Sequence, residues 1–259
     1  MTSRSTIEMT LAAGTTAGAA KMDTAAVGKA FEALKTYDWG DDPKTLEAID
    51  QAIIATHGDA RARRSLEKRL LDALTGGISR SAVDHVCRRL RTVGTSRSVD
   101  ALADLLTDER TSHNARYALE RIDDEKAAQA LREALSKVGS KLRPGIIGSL
   151  GTRRDTKSIG VISNYLSDSD IDCAKAAAQS LGLVGTSAAA KELSGFARKA
   201  SAEMKMPIAD ACMVCAERLL ADGHKAEAMA LYKGLQGDDH ASHVKAAAMK
   251  GMLTAATRK

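Results

Sequence analysis

The feature that most constrains this chain is an internal repeat in its middle section. Four short segments can be superimposed, each with an apolar residue, two variable positions, a second apolar residue and then a turn-forming Gly or Asp. They begin at Leu90, Leu119, Ile147 and Leu181, and their second apolar residues are 29, 28 and 34 residues apart. A period of about 30 residues accommodates two helices and a turn, so each unit is predicted to be a helix pair.

The spacing of apolar residues inside the units supports this prediction. Apolar residues recur three and four positions apart, for example at Val83, Val86 and Leu90, which gives each helix an apolar stripe. One pair cannot bury two such stripes, but a stack of pairs can. The turn glycines are expected to end helices with a positive φ, and the Thr or Asp after them to cap the next helix. The sequence therefore predicts an all-α fold, and more specifically an α-solenoid of antiparallel helix pairs.

The composition agrees with stacked helices and excludes several other classes. The 259 residues include 47 Ala, only 3 Pro and only 7 aromatic residues. Ala is the best helix former and a poor strand residue, so an all-β fold is excluded. A chain with so few rings has little with which to stack bases, sugars or flat cofactors. No apolar run approaches the roughly 20 residues that a membrane helix needs, so no membrane partner is expected.

The repeat changes character towards both termini, which predicts three sections. Residues 1–42 are expected to be an N-terminal tail and lead-in segment, partly disordered. Residues 43–200 are expected to form the solenoid, with early helices at 43–56 and 60–74. Residues 201–259 are expected to form a C-terminal cap, in which residues 216–232 resemble a tetratricopeptide helix pair and a last helix spans 243–255.

The units themselves resemble HEAT-type helical repeats, especially the short bacterial variety also seen in bilin-lyase-like proteins. The resemblance rests on LxxVGTxxSVxALxxLLxD at residues 90–108, ARYALERI at 115–122 and AAAQSLGLVGTSAAAKEL at 176–193. It extends to uncharacterised HEAT-repeat proteins of planctomycete-type bacteria and covers residues from about 30 to the end. It implies a right-handed superhelix whose concave face is lined by the second helix of each pair. Those second helices are expected at residues 81–93, 113–122, 141–150 and 173–184.

Known enzymes built from such repeats are poorly matched. Deoxyhypusine hydroxylase uses His-Glu dipeptides as metal ligands, and none of the 6 histidines here precedes a Glu. Alkylpurine DNA glycosylases surround the damaged nucleotide with aromatic residues, but the single Trp39 lies upstream of the repeats. Nothing marks a tetrapyrrole pocket, so a bilin-lyase-like enzyme is a weaker alternative. The sequence indicates no cofactor and no small-molecule substrate.

Two local clusters could carry chemistry, and both have simpler interpretations. Cys212 and Cys215 have the spacing of a zinc or redox pair, but they are predicted to be buried packing residues one helical turn apart. Asp168, Asp170 and Asp172 alternate as in calcium loops but lack the glycine and distal glutamate of an EF-hand. They are predicted to cap the following helix. No metal site is predicted.

Positive charge is concentrated in two stretches. Residues 61–97 contain 10 Lys and Arg against 3 acidic residues, and residues 131–160 contain 7 against 2, although the whole chain carries only +5. Two basic patches on an otherwise acidic chain are typical of a surface that attracts an acidic partner. A solvated helix face without a partner is the alternative interpretation.

The predicted partner-binding residues are the Arg and Tyr positions that the repeat leaves outside the core. They are Arg88, Arg91, Arg97, Arg116, Tyr117, Arg121 and Arg154. Aligned turns also predict that Arg97, Lys126 and Arg154 form a basic ladder along one edge. Pairing inside the fold, for example of Arg116 with Asp108, is an equally open interpretation.

These features predict a non-catalytic scaffold whose concave basic surface binds a protein, with an acidic segment as its target. Non-specific binding to nucleic-acid phosphates is the alternative. The 4 cysteines do not form a disulfide scaffold, which predicts a reducing, cytoplasmic location. Some HEAT relatives are exported, so export stays open if a native N-terminus has been removed.

Overall fold

Helices provide all the regular secondary structure in the part of the chain that the structure describes. This computed structural model describes residues 23–238 and 240–257. The all-α prediction is confirmed for these ranges. In chain order, the α-helices are α1 (Thr24–Leu34), α2 (Glu47–Ala55), α3 (Ala60–Leu74), α4 (Arg80–Val93), α5 (Val99–Asp104), α6 (Ser112–Leu119), α7 (Glu125–Leu135), α8 (Arg143–Thr152), α9 (Ile159–Asn164), α10 (Ile171–Val184), α11 (Ser187–Ala197), α12 (Ala202–Ala221), α13 (Lys225–Gly234) and α14 (Ser242–Thr257). Short 3₁₀ turns precede α2 (Pro43–Leu46), α5 (Ser96–Ser98) and α9 (Thr156–Ser158). A fourth turn, Tyr165–Ser167, follows α9.

Aspartate side chains begin several of these helices, as predicted. Asp124 Oδ1 accepts a hydrogen bond from the backbone N–H of Lys126 at 2.9 Å. Asp170 Oδ1 accepts from the N–H of Asp172 at 2.9 Å, and Asp168 Oδ1 accepts from the N–H of Asp170 at 2.8 Å. These contacts satisfy N–H groups that have no partner within the helix and place negative charge at its positive end. Asp168 and Asp170 before α10, and Asp172 in its first turn, therefore act in helix initiation.

Among the turns of the four aligned segments, the predicted glycine rule holds only once, although Gly58, Gly77 and Gly223 also take a positive φ after α2, α3 and α12. Gly185 ends α10 with φ +64°, the left-handed conformation that glycine adopts without strain. The same expectation is wrong at Gly94, where φ is −64° and the missing side chain has a different use. A Cβ there would lie 2.4 Å from Leu90 O, so only glycine fits. At the end of α8, Gly151 stays helical and Arg154 takes the left-handed conformation, with φ +53°.

The helices pack in two alternating series. In one, each of α4, α6, α8, α10, α12 and α14 contacts the next member of the series. In the other, α5 packs on α7, α9 on α11 and α11 on α13. The buried side chains of successive helices form one continuous apolar core. Every helix pair therefore depends on its neighbours for burial, as the apolar stripes predict.

Small residues allow the closest helix contacts of the first series. A Cβ on Gly151 of α8 would lie 2.6 Å from Ser180 Cα on α10. A Cβ on Gly182 of α10 would lie 2.8 Å from Ala211 O on α12. Ala177 and Ala178 of α10 are also fully buried. The high Ala and Gly content thus sets the short distances between helices.

The observed bounds lie close to most predicted ones. The helix at 60–74 is confirmed, and the one predicted at 43–56 begins as a 3₁₀ turn at Pro43–Leu46, which α2 follows. Helices α12 and α13 form a pair in the region that resembles a tetratricopeptide repeat, and α12 packs along α10 just as α8 does. Of the predicted tail and lead-in, residues 1–22 lie outside the described residues, and α1 lies in the remainder.

Each described helix is either too short or too polar to cross a lipid bilayer. The boundaries of the three predicted sections stay predictions. Helices α10 and α12, which lie on either side of residue 200, pack against each other.

Candidate interaction surface

Three of the predicted partner-binding residues meet on adjacent helices, α4 and α6. The Tyr117 ring of α6 lies 4.3 Å from the guanidinium carbon of Arg91 and 5.7 Å from that of Arg88. Arg88 also donates through Nε to Asp84 Oδ2 at 2.7 Å, one helical turn away, and this hydrogen bond raises the pKa of Arg88. Both side chains of that pair remain substantially exposed. We refer to Arg88, Arg91 and Tyr117 as the α4–α6 cluster.

Arg91 is the member of this cluster with unused hydrogen-bonding capacity. Its Nε is buried and has no hydrogen-bond partner among the described residues. Its guanidinium plane instead rests against the Tyr117 ring, a cation–π contact. A guanidinium that is held by a ring and still has free donors suits the bidentate capture of a carboxylate or phosphate.

Arg116 lies next to Tyr117 in sequence but points into the fold. Its Nη1 donates to Gly145 O at 2.8 Å on α8, and its guanidinium covers Gly145, where a Cβ would lie 2.5 Å away. Burial lowers the pKa of this guanidinium. The suggested pairing with Asp108 is wrong for the described residues, because Arg116 reaches forward to the next unit. Its role is to connect α6 with α8.

Arg97 lies on a different surface from the α4–α6 cluster. It is exposed and lines a cleft of about 440 Å³ against one face of α3. The other lining residues are Arg61, Arg64, Ser65, Glu67, Lys68 and Leu71. We refer to this feature as the α3 cleft. It brings together cations from both ends of the first basic stretch, 61–97.

A buried carboxylate fixes Arg97 at the edge of the α3 cleft. Glu67 is 1% exposed and accepts hydrogen bonds from Thr95 N at 2.7 Å, Thr95 Oγ1 at 2.9 Å and Ser98 Oγ at 2.6 Å. These bonds tie the turn after α4 to α3. Since Arg97 lies inside that turn, Glu67 determines where its backbone stands relative to Arg64.

Two further predicted residues lie elsewhere. Arg121 is exposed in a shallow cleft that also contains Glu120 and Asp123, so its charge is offset locally. Arg154 donates to Asp222 Oδ2 at 2.7 Å and to Val184 O at 3.3 Å, which anchors it to the end of α10 and the turn after α12. The seven predicted residues therefore do not form one surface.

Lys126, the remaining position of the suggested basic ladder, is exposed in the first turn of α7. Arg97 faces the α3 cleft and Arg154 is paired with Asp222, so the three cations have different surroundings.

Most of the basic side chains in the second basic stretch, 131–160, are paired with groups on other helices or turns. Arg132 of α7 pairs with Asp155 Oδ2 at 2.6 Å and with Glu125 Oε1 at 2.7 Å. Asp155 is 8% exposed and also accepts from the hydroxyl of Ser158. Lys157 shares Glu125 at 2.9 Å. These charges hold α7 against the turn before α9.

Arg153 has a structural role that sequence reasoning missed. Its guanidinium donates to the carbonyl oxygens of Leu119, Ile122 and Asp124, at the end of α6. Burial lowers its pKa, the nearby acidic residues oppose that shift, and the three carbonyls account for its orientation. In the same way, Arg63 of α3 donates to Thr92 O near the end of α4. No local sequence signal marks these long-range caps, because the partners lie about one repeat away.

The cysteines behave as packing residues. Cys212 and Cys215 are buried free thiols on α12, and burial raises the pKa of each to about 12. Burial also raises the pKa of Cys87 to about 12. A thiol that stays protonated is a poor nucleophile and a poor metal ligand. Within residues 23–238 and 240–257, no three His, Cys, Asp or Glu side chains are grouped as metal ligands would be.

Comparison with known proteins adds no functional assignment. No protein-family model matches the chain, and no curated protein matches it. Among solved structures, the chain is similar to an engineered protein at 17% sequence identity and a TM-score of 0.39. That match covers 81% of this chain and 96% of the engineered one.

Proposed function

We propose that this chain is a HEAT-type α-solenoid scaffold without catalytic activity, and that it binds an acidic protein segment through the α4–α6 cluster. The alternating contacts of α4, α6, α8, α10 and α12 support the solenoid part of the proposal, because stacked helix pairs give that order of contacts. The binding part rests on the cluster itself.

The observation that carries the proposal is the position of Arg91 against Tyr117. The ring holds the guanidinium at 4.3 Å, and the Nη groups of Arg91 form no hydrogen bond or ion pair among the described residues. The guanidinium carbon of Arg88 lies 5.7 Å from the centre of the same ring. Two guanidinium groups organised by one aromatic residue are suited to carboxylates, and Arg and Tyr are frequent anchors of protein interfaces.

The α4–α6 cluster is less suited to binding a nucleic acid than to binding an acidic protein segment. Phosphate-backbone binding gains affinity from many cations spread along a strand, and single-stranded ligands also need several stacking rings. Here the single ring of the cluster is covered by Arg91 and flanked by Arg88. The neighbouring cation Arg116 is committed to Gly145 O.

Fluorescence anisotropy with a labelled oligoglutamate peptide tests the proposal. Arg91→Glu is expected to weaken binding at least about tenfold, because it removes an attractive contact and adds a repulsive one. Lys137→Glu is the matched control, since Lys137 is an exposed cation outside the cluster and the charge change is the same. That variant is expected to change the affinity by less than about twofold.

Three outcomes would overturn the proposal. One is no saturable oligoglutamate binding at low salt. Another is an equal loss in the two variants, which would indicate general electrostatic attraction. The third is tighter binding to a labelled DNA duplex, with affinity that falls steeply as salt increases, which would favour the nucleic-acid alternative.

A further inference from the structure

The α3 cleft presents cations that the fold itself does not use. Among the described residues, the side chains of Arg61, Arg64 and Arg97 form no hydrogen bond or ion pair, and all three are exposed. The fourth cation, Lys68, pairs with Asp72 at 2.6 Å, but both side chains are more than half exposed. Such a surface pair contributes little and exchanges readily for a stronger anion.

The cations of the cleft come from two directions. Arg61, Arg64 and Lys68 are three and four positions apart, which places them on one face of α3. Arg97 faces them from the 3₁₀ turn after α4, which Glu67 fastens to α3. Because the turn is held by hydrogen bonds, the cleft exists before a ligand arrives, and less ordering is needed on binding.

The cleft contains one carboxylate, and its oxygens are already occupied. Glu67 is 1% exposed and accepts from Thr95 N, Thr95 Oγ1 and Ser98 Oγ. Within the described residues it forms no ion pair with the cleft cations, so Arg64 and Arg97 keep their donors for a ligand. Four cations against the enclosed Glu67 and against Asp72 beside Lys68 leave the cleft with net positive charge.

We propose that the α3 cleft binds the phosphoryl group of a phosphorylated protein segment. A phosphoryl group on Ser, Thr or Tyr carries a charge of about −1.5 to −2 and three acceptor oxygens, whereas a carboxylate carries one charge and two oxygens. Three guanidinium groups and one ammonium group match the larger charge and the larger number of acceptors. This site is separate from the α4–α6 cluster and does not depend on the proposed function.

The test compares peptides that differ at one side chain. The probe is a fluorescein-labelled, otherwise neutral peptide with a single phosphoserine, measured by anisotropy beside its Ser and Glu versions. We expect the phosphoserine peptide to bind at least about tenfold more tightly than either version. Arg64→Gln combined with Arg97→Gln is expected to remove at least about tenfold of this affinity.

Two control variants make the loss specific. Lys137→Gln removes one exposed cation outside the cleft and is expected to leave phosphopeptide affinity unchanged. Arg91→Glu disrupts the α4–α6 cluster and is also expected to leave it unchanged, which separates this inference from the oligoglutamate result. Circular dichroism and urea unfolding of each variant report whether the fold is retained.

Several results would overturn the inference. Equal binding of the Ser, Glu and phosphoserine peptides would exclude recognition of the phosphoryl group. An unchanged affinity in the folded Arg64→Gln, Arg97→Gln variant would place the site elsewhere. If inorganic phosphate displaced the peptide at a concentration equal to the Kd of the peptide, the cleft would be a site for the free ion rather than for a protein segment. Stronger binding of a DNA duplex would indicate a nucleic-acid surface.

Discussion

In residues 131–160 almost every cation has a partner in another helix or turn, whereas in residues 61–97 several arginines have none. Arg132 contacts Asp155 and Glu125, and Arg153 caps the end of α6. By contrast, Arg64 and Arg97 have no side-chain partner within the described part of the chain. The two stretches have a similar excess of positive charge in sequence and opposite uses in the fold.

The difference teaches that charge counted in a window does not measure available charge. The acids that pair with the second stretch lie mostly outside it, at Glu109, Glu125, Asp168 and Asp222. They come from other helices and turns of the fold. In the first stretch, cations such as Arg61 and Arg64 face outward from α3 and meet no acid from another unit. Among the described residues, unpaired positive charge therefore lies mainly in the first stretch.

The largest expected loss of stability comes from removing an ion pair of the second stretch, residues 131–160. Asp155→Ala should lower the free energy of unfolding by about 3 kcal/mol, because it removes the charged hydrogen bonds that Asp155 accepts from Arg132 and Ser158, although Glu125 still pairs with Arg132. Urea unfolding at neutral pH measures the change. Asp72→Ala is the control, since it breaks the exposed pair with Lys68 and should cost less than about 1 kcal/mol. Equal losses in the two variants would contradict the comparison.

The next effect concerns a buried histidine of the first stretch. Burial, with a smaller contribution from Arg89, lowers the pKa of His85 on α4 from 6.5 to about 4. Between pH 6.5 and about pH 4, His85 is therefore protonated in the unfolded chain and neutral in the folded chain. Stability should be constant above pH 6.5 and fall by about 2–3 kcal/mol as the pH is lowered towards 4.5.

Urea unfolding at a series of pH values checks this expectation. His85→Leu removes the titrating group, so the variant should lose that part of the pH dependence while its carboxylates still titrate. An identical slope in the variant and the original protein would assign the acid sensitivity to other groups.

The smallest expected change in stability comes from removing unpaired arginines of the first stretch, residues 61–97. Arg64→Ala and Arg97→Ala should each change the free energy of unfolding by less than about 0.5 kcal/mol, because neither side chain has a partner in the described fold. Thermal or urea unfolding is sufficient to measure this. A loss above about 1 kcal/mol would mean that these arginines stabilise the fold and are not reserved for a ligand.

Local patterns predicted the helices, and contacts between units limited what could be predicted about the surface. The spacing of Val86 and Leu90 and the caps Asp124 and Asp170 are signals within a few residues, so the elements could be located before the structure was known. The use of Gly94 could not, because the glycine serves packing against Leu90 O and the side chain of Ile122 rather than a left-handed turn.

The candidate surface was predicted only in part for the same reason. Arg88, Arg91 and Tyr117 meet because aligned positions of adjacent units face each other, which the repeat implies. The partner of Arg116 lies 29 residues away, and that of Arg154 lies 68 residues away. Sequence spacing within one unit holds no information about such pairs. The α3 cleft was missed because α3 precedes the aligned units.

The capping of α6 by Arg153 limits how freely the units can be exchanged. The carbonyl groups of Leu119 and Ile122 are satisfied by a side chain that belongs to the following unit. Deleting, duplicating or transplanting a unit would separate donor from acceptors and leave the helix end to water. A chain shortened or rearranged at this junction would need another donor in place of Arg153 to satisfy the end of α6 as well as the original does.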